Sequence, residues 1–372
     1  MAESTRLVDH VQLRIDDFLA ARTTELSAIS EELVPFTDVA RSFVTAGKRF
    51  RALFCYWGWQ AASGLPDGFD PLPDDEVSAD LEGVLLAASA LELFHAAALV
   101  HDDIMDNSNT RRGAPSAHKR FEELHARGAW SGTPELYGRS AALLLGDLLL
   151  GWSDELFDQG TAQLSRAAAL AGRAEFTRMR TEVTAGQYLD ILEESAWLVH
   201  PESDALARAH RVIVYKSAKY SVEAPLAIGA ALGGASLPQL AALRGFGLPL
   251  GVAYQLRDDL LGVFGDPVVT GKPAGDDLRE GKRTVLIALA RPALPTPARN
   301  LLDELLGDPE LDDQQVEMMR TAIRDCGAVD KVERIIDHNV ALANDAIRDA
   351  PIASSARNQL LQLADTVTRR SA

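Results

Sequence analysis

Apolar residues recur at helical spacing along almost the whole 372-residue chain, and runs rich in Val, Ile and Thr that alternate with polar residues are nearly absent. This pattern predicts an all-α fold. The Gly- and Pro-rich segments that interrupt it fall at residues 64–75, 127–136, 200–203, 265–277 and 290–298, and none is long or biased enough for a disordered linker. With 47% hydrophobic residues the chain can bury one large helical core or two ordinary ones. No repeat of fixed period divides it, so a single domain over residues 1–372 is expected.

Charge and cysteine usage narrow the function. A formal net charge of -17 and a pI near 4.9 argue against nucleic acid as a partner, because its binders carry a basic patch or stripe. The only cysteines, Cys55 and Cys326, provide neither a disulfide framework nor a CxxC zinc pattern, which fits a reducing compartment. The N-terminal stretch MAESTRLVDHVQLRIDDFLA is charged and amphipathic and lacks the apolar centre of a signal peptide, so a cytoplasmic location is expected. The longest apolar run, residues 85–100, is interrupted by Glu92 and His95. It is shorter than the ~20 residues a bilayer demands and reads as a buried helix, with no membrane span.

Two aspartate clusters stand near the ends of apolar helices, DDIMD at 102–106 and RDDLLG at 257–262. Positions four apart are neighbours on a helix surface, so Asp102 and Asp106 share a face with Asp103 beside them. Mg²⁺ takes one or two carboxylates plus the phosphate oxygens of a substrate, and the ligand this face suits is a magnesium diphosphate. One DDxxD alone is weak evidence and would serve equally as a solvated helix end. Its company is more specific. Lys48 and Arg51 stand in AGKRFRALF, Arg111 and Arg112 in NSNTRRGAPSAH, Gln187 and Asp190 in GQYLD, and Lys216 and Ser217 in YKSAKY. Further on come Gln255, Asp258 and Asp259 in YQLRDD, then Lys272, Asp276, Asp277 and Lys282 in GKPAGDDLREGKR.

This ordered set, spanning residues 45–285, resembles the trans-isoprenyl diphosphate synthases, which build farnesyl, geranylgeranyl and longer prenyl diphosphates. The resemblance implies the isoprenoid synthase fold, a helical bundle around a central cavity, and a homodimer with its contacts among residues 136–235. It also implies a prenyltransferase that condenses isopentenyl diphosphate with allylic diphosphates. Carried over by position, Asp102 and Asp106 would hold two Mg²⁺ with Asp103 orienting bound waters, and Asp258 would hold a third. Asp190 and Asp259 are counted with the metal-side carboxylates. Arg111, Lys216 and Lys272 would grip the allylic diphosphate, with Lys282 among the substrate-binding groups. Isopentenyl diphosphate would lie on Lys48, Arg51, His95 and Arg112. Gln187 and Gln255 match polar positions near the metals and reacting carbons, and Ser217 is placed to orient the developing cation.

The chemistry explains these residue types. Ionising an allylic C–O bond requires stabilising charge on the leaving diphosphate, which metals and fixed cations provide best in a water-poor site. The isopentenyl double bond then attacks the cation and a proton is lost. Water would quench that cation, and the 265–283 loop, with Gly265, Gly271, Gly275 and Gly281, is the candidate lid. His95 on an apolar face would by default be a core histidine, yet it stands two turns before Asp102 on the same face, which suits contact with a second diphosphate. His101 reads as structural and Lys219 as surface. Asp276 and Asp277 either cap a helix beginning near 277 or orient Lys282.

Two departures from the family pattern stand out. Ala46 replaces a glycine before Lys48, and Gly262 replaces the last aspartate of the second motif. Asp258 acting as the sole direct ligand there is the simpler reading, with Asp266 as the alternative carboxylate; an aspartate restored at 262 is expected to be tolerated or to tighten the Mg²⁺ dependence. A class I terpene cyclase would share the first motif but needs no second diphosphate pocket, and Lys48, Arg51 and Arg112 argue against it. A non-catalytic subunit would be expected to have lost acidic residues, whereas DDIMD is intact.

Product length follows from the helix before DDIMD, along which the family's growing tail descends. Ala97 and Ala98 are small and Phe94 is the first large group below them. One helical turn rises about 5.4 Å, close to one isoprene unit, so the expected product is mainly C20 geranylgeranyl diphosphate, with farnesyl or longer products as alternatives.

Overall fold

The computed structural model describes residues 2–45, 47–64, 79–266, 275–308 and 310–369. The described residues are almost entirely helical, as expected; their strands are Thr110–Arg111 and Ala114–Pro115, paired antiparallel. Contacts divide the chain into two compact units, Met1–Arg173 with Ile228–Ala235, and Ala174–Ala227 with Ser236–Ala372. Two of the three crossings between the units run through the interiors of the helices Arg166–Ala196 and Ala224–Leu232, and the third falls in the short connection before Leu237.

The first unit begins with α1 (Ala2–Ile29), α2 (Val34–Val44) and α3 (Phe50–Ser63), followed by the long α4 (Ala79–Met105). Helix α3 ends at Gly64, whose φ of 65° lies in the left-handed region that glycine enters without strain, at the start of the first predicted break. The β-hairpin, α5 (Ala117–Arg127) and α6 (Pro134–Thr161) follow, with the gap between α5 and α6 inside the second predicted break. Helix α4 is apolar on every face because neighbours cover it: Val84, Leu85, Ala88, Leu91 and Leu93 are buried. Against α6 the approach is close. A Cβ on Gly83 would lie 2.7 Å from the Gly160 carbonyl oxygen, and one on Gly160 would lie 2.6 Å from that of Gly83. Helix α4 is the one described helix long and apolar enough to cross a bilayer, and 78% of its apolar window is buried.

Helix α7 (Arg166–Ala196) leads into the second unit, where α8 (Ala205–Val212) runs into a π-helical stretch, Ile213–Glu223, and then α9 (Ala224–Leu232), which from Ile228 on belongs to the first unit. Helix α10 (Leu237–Phe264) starts at a capping box in which Ser236 and Gln239 satisfy each other's backbone amides, with Pro in its first turn. Beyond it lie α11 (Asp276–Glu280), α12 (Val285–Ala290), α13 (Thr296–Leu305), α14 (Asp313–Asp325), α15 (Ala328–Arg348) and α16 (Ser354–Thr368). The core of this unit joins Leu256, Leu260 and Val263 of α10 to Leu286 of α12, Ile323 of α14 and Val332 and Ile336 of α15. Arg257 fixes α10 further, with Nη1 and Nη2 donating to Glu333 at 2.6 and 2.7 Å and Nε donating to the Thr368 carbonyl at 3.0 Å.

Candidate active site

In the first unit the acidic motif closes α4. Helical bonding continues one residue past the helix, the Asp106 amide donating to the Asp102 carbonyl at 2.8 Å, so both side chains stand on one face and remain partly exposed. Asp103 is fully buried and receives Arg111 Nε at 2.8 Å, with Arg111 Nη2 also on Asp103 and 3.5 Å from Asp102 Oδ2. His101 packs on α6, its Nε2 3.3 Å from the Leu143 carbonyl and 3.4 Å from Asp147 Oδ1. That is the structural placement the sequence suggests.

The adjacent arginines part company at the hairpin turn. Arg112 has φ 55° and Gly113 φ 76°, a left-handed pair that reverses the chain. Arg111 therefore turns to DDIMD, while Arg112 turns to the 43–48 segment: its Nη1 donates to the Phe43 carbonyl at 3.4 Å, and its guanidinium lies 3.4 Å from where a Cβ on Gly47 would be. Burial, followed by the charges of Arg51, Arg112, Arg111 and Arg49, holds His95 well below the usual imidazole range. Burial and then Arg49 likewise lower Arg112. Residues from three separate stretches of sequence thus form one basic cluster beside exposed Lys48.

In the second unit α7 closes on the π-helical stretch through Gly186, where a Cβ would stand 2.3 Å from the Lys216 amide nitrogen. This contact brings Lys216 Nζ to Asp190 Oδ2 at 2.5 Å, one turn along α7. Lys282 Nζ reaches the same oxygen at 3.5 Å and Glu194 at 3.0 Å. Lys219 instead pairs with Glu182 at 2.6 Å. Ser217 lies half-buried next to Lys216, and Gln187 half-buried on α7. π-Helical turns recur at functional sites, and this one carries Lys216 and Ser217.

On α10, Asp258 is partly exposed and Asp259 is buried, at 5% relative exposure. Gln255 donates to Asp259 Oδ1 at 2.7 Å, and Asp259 Oδ2 has no hydrogen-bond partner among the described residues. Burial, then the neighbouring Asp277, pushes the Asp259 carboxyl well above the usual range, with smaller contributions from Asp258 and Asp190. Asp266 lies exposed past the end of α10. Ala46, Gly271 and Lys272 fall outside the described residues, as does most of the loop expected to act as a lid.

Residues 35–323 match the family model described as polyprenyl synthetase. The chain belongs to the polyprenyl synthetase family. It is 29% identical over 358 residues to the geranylfarnesyl diphosphate synthase of Aeropyrum pernix, with 96% of each chain covered. It is also 29% identical over 364 residues to the geranylgeranyl diphosphate synthase of Methanosarcina mazei, covering 95% of this chain and 97% of that one. In structure it is similar to geranylgeranyl pyrophosphate synthase from Corynebacterium glutamicum, crystallised with isoprenyl diphosphate and magnesium, at a TM-score of 0.90 and 37% identity over 98% of this chain and 99% of that one. The resemblance read from the motifs holds, and the polyprenyl synthetase match runs across both acidic clusters.

Two buried charges of this polyprenyl synthetase escape a motif reading. Arg49, 5% exposed and with φ 50°, bonds to Gln12 of α1, to the Val44 carbonyl and, at 3.2 Å, to Glu92 Oε2. Glu92, 4% exposed, takes the Ala52 amide on its other oxygen at 3.2 Å. The signal was present as a carboxylate inside an apolar run, because a buried charge requires a partner.

Proposed function

We propose that this chain is a Mg²⁺-dependent, chain-elongating trans-prenyltransferase that condenses isopentenyl diphosphate with allylic diphosphates and makes mainly geranylgeranyl diphosphate. The observation that carries this reading is the divergence of Arg111 and Arg112, one bonded to the acidic motif and the other to the Phe43 carbonyl within the cluster of Arg49, Arg51 and His95. It provides cationic groups for two diphosphates, where a terpene cyclase needs one.

Among the described residues no group of three or more His, Cys, Asp or Glu stands ready as a complete metal cage. That suits Mg²⁺, which completes its shell with waters and substrate phosphates around one or two carboxylates. The pair Asp102 and Asp106 fits such a shell, and so does Asp258 for a third ion. Bound Mg²⁺ stabilises the charge that develops on the departing diphosphate. Arg111, Lys216, Lys272 and Lys282 hold the allylic diphosphate, and Lys48, Arg51, His95 and Arg112 hold isopentenyl diphosphate. His95, kept neutral by burial and then by its cationic neighbours, offers a hydrogen bond without further charge. Asp190, already shared by two lysines, acts by orienting both ammonium groups toward the leaving group. Asp103 and Asp259 are buried and back the partly exposed Asp102 and Asp258. Gln187 and Gln255 match polar positions near the metals and reacting carbons, and Ser217 would orient the developing cation.

A C20 product rests on Phe94 and Ala98, two turns and one turn before Asp102 on its face of α4, and on the geranylgeranyl synthase relatives. The Aeropyrum pernix relative makes C25 the nearest alternative. The homodimer is supported by large apolar groups left exposed on α6 and α7, among them Leu136 at 67%, Leu144 at 59% and Leu170 at 64%. A cytoplasmic setting agrees with the two unpaired cysteines. Pure protein incubated with Mg²⁺, isopentenyl diphosphate and labelled C5, C10 and C15 allylic diphosphates should yield C20 diphosphate as the main product. Release of cyclic hydrocarbon, or no elongation with any primer, would overturn the reading.

A further inference from the structure

Gly262 breaks the second acidic motif, yet the space where its side chain would begin is filled. A Cβ on Gly262 would lie 2.1 Å from Asp277 Oδ2, 2.3 Å from Asp277 Cγ and 2.7 Å from Asp277 Oδ1. All three nearest atoms belong to that one carboxylate. Position 262 is one helical turn beyond Asp258, so the two share a face of α10, as Asp102 and Asp106 share a face of α4. Helix α11 thus lays a carboxylate on the position where α10 has none.

Gly275 is the N-cap of α11, and Asp276 and Asp277 stand in the first turn of that helix. Lys282 meets Asp277 through the backbone, its amide donating to the Asp277 carbonyl at 3.0 Å, while its ammonium turns to Asp190 and Glu194. A second feature marks the same end of α10 as a cation site. Asp259, 5% exposed, keeps Oδ2 without a hydrogen-bond partner among the described residues, a costly arrangement for a buried carboxyl unless a ligand completes it.

We propose that Asp277 supplies the carboxylate that Gly262 removes from the second acidic motif, forming with Asp258 the acidic face for the third divalent ion. This rests on Asp258 being a metal-binding residue. The glycine is then a requirement: a side chain at 262 would displace Asp277, and an aspartate there would set two carboxylates on one spot. The expected tolerance of an aspartate at 262 is thereby reversed.

The test is Mn²⁺ binding in the presence of inorganic pyrophosphate, followed by electron paramagnetic resonance, with thermal unfolding recorded on each protein. Asp277→Ala, with Asp277→Asn as the variant that preserves shape, should weaken one class of Mn²⁺ site about tenfold or more, as loss of a supporting metal partner does. Gly262→Asp alone should bind no more tightly than wild type and unfold at lower temperature. The double variant Gly262→Asp/Asp277→Ala should recover the affinity lost in Asp277→Ala, a coupling expected only if the two carboxylates exchange for one another. Wild-type Mn²⁺ binding in both Asp277 variants, or a double variant no tighter than Asp277→Ala, would overturn the proposal. Asp258→Ala separates the two claims, since unchanged Mn²⁺ binding in that variant refutes the metal reading itself.

Discussion

Glu92 and Arg49 form a buried ion pair at 3.2 Å in which both partners are about nineteen-twentieths covered, at 4% and 5% exposure. Through it α4 holds the start of α3, since the other Glu92 oxygen receives the Ala52 amide. Lys48 and Arg51 flank Arg49, so the pair fixes the segment that carries the cations proposed to hold isopentenyl diphosphate. Glu92→Ala leaves Arg49 buried without its carboxylate and should cost about 3 kcal/mol, the lower end for a broken buried pair, because Gln12 and the Val44 carbonyl remain. Glu92→Gln keeps the shape and should cost less. Urea unfolding reads the difference. The same variants should raise the KM for isopentenyl diphosphate more than that for the allylic substrate, and equal changes in both would show that the pair only stabilises.

Asp102→Ala and Asp106→Ala should each lower turnover by at least about a hundredfold, since each removes a carboxylate proposed to hold Mg²⁺. Neither should lower the unfolding temperature, because each relieves repulsion between like charges on one helix face. Steady-state assays at saturating Mg²⁺ together with a thermal melt check both halves. An unchanged rate would refute the metal role.

Phe94 is 5% exposed, Ala97 is fully buried and Ala98 is partly accessible. Phe94, Ala98 and Asp102 fall on one helix face, from which Ala97 is rotated away. Ala98→Phe should therefore shift products toward C15, and Phe94→Ala should lengthen them by about one C5 step. Ala97→Phe should chiefly overpack the core, at a cost of about 1–3 kcal/mol. Chromatographic sizing of the products and a melt of each variant distinguish these outcomes.

His118 is 2% exposed, with Nδ1 3.2 Å from Ser116 Oγ and Nε2 without a hydrogen-bond partner among the described residues. Burial, and then the charges of Lys119 and Arg139, lower its pKa from 6.5 to about 4. Between those two values the unfolded chain binds a proton that the folded chain does not. This contribution to stability is therefore complete above pH 6.5 and is lost as the pH falls toward 4. Melting temperature should fall across that window more steeply in the wild type than in His118→Asn, whose amide can still meet Ser116. Parallel pH profiles would show that His118 does not titrate in this range.

What the sequence determined by itself is local. Helical periodicity marks α4 and α10, the i, i+4 spacing of Asp102 and Asp106 puts two carboxylates on one helix face, and Gly64 and Pro134 punctuate helices, because each effect acts within a turn or two of chain. The order of Lys48, Arg111, Lys216 and Asp258 along the chain identifies the family without any knowledge of how those groups meet. Tertiary structure alone decided the partnerships. Glu92 in an apolar run announces that it needs a cation, but nothing in the pattern selects Arg49 from the 37 lysines and arginines. The opposite directions of Arg111 and Arg112 depend on the left-handed φ of two hairpin residues, Arg112 and Gly113. Gly262 reads in the sequence as a lost carboxylate, and only the packing of α11 on α10 shows the Asp277 carboxylate lying against it. These pairings are set by which helix faces bury against one another, and the close packing of a folded interior decides them through contacts between residues far apart in the chain.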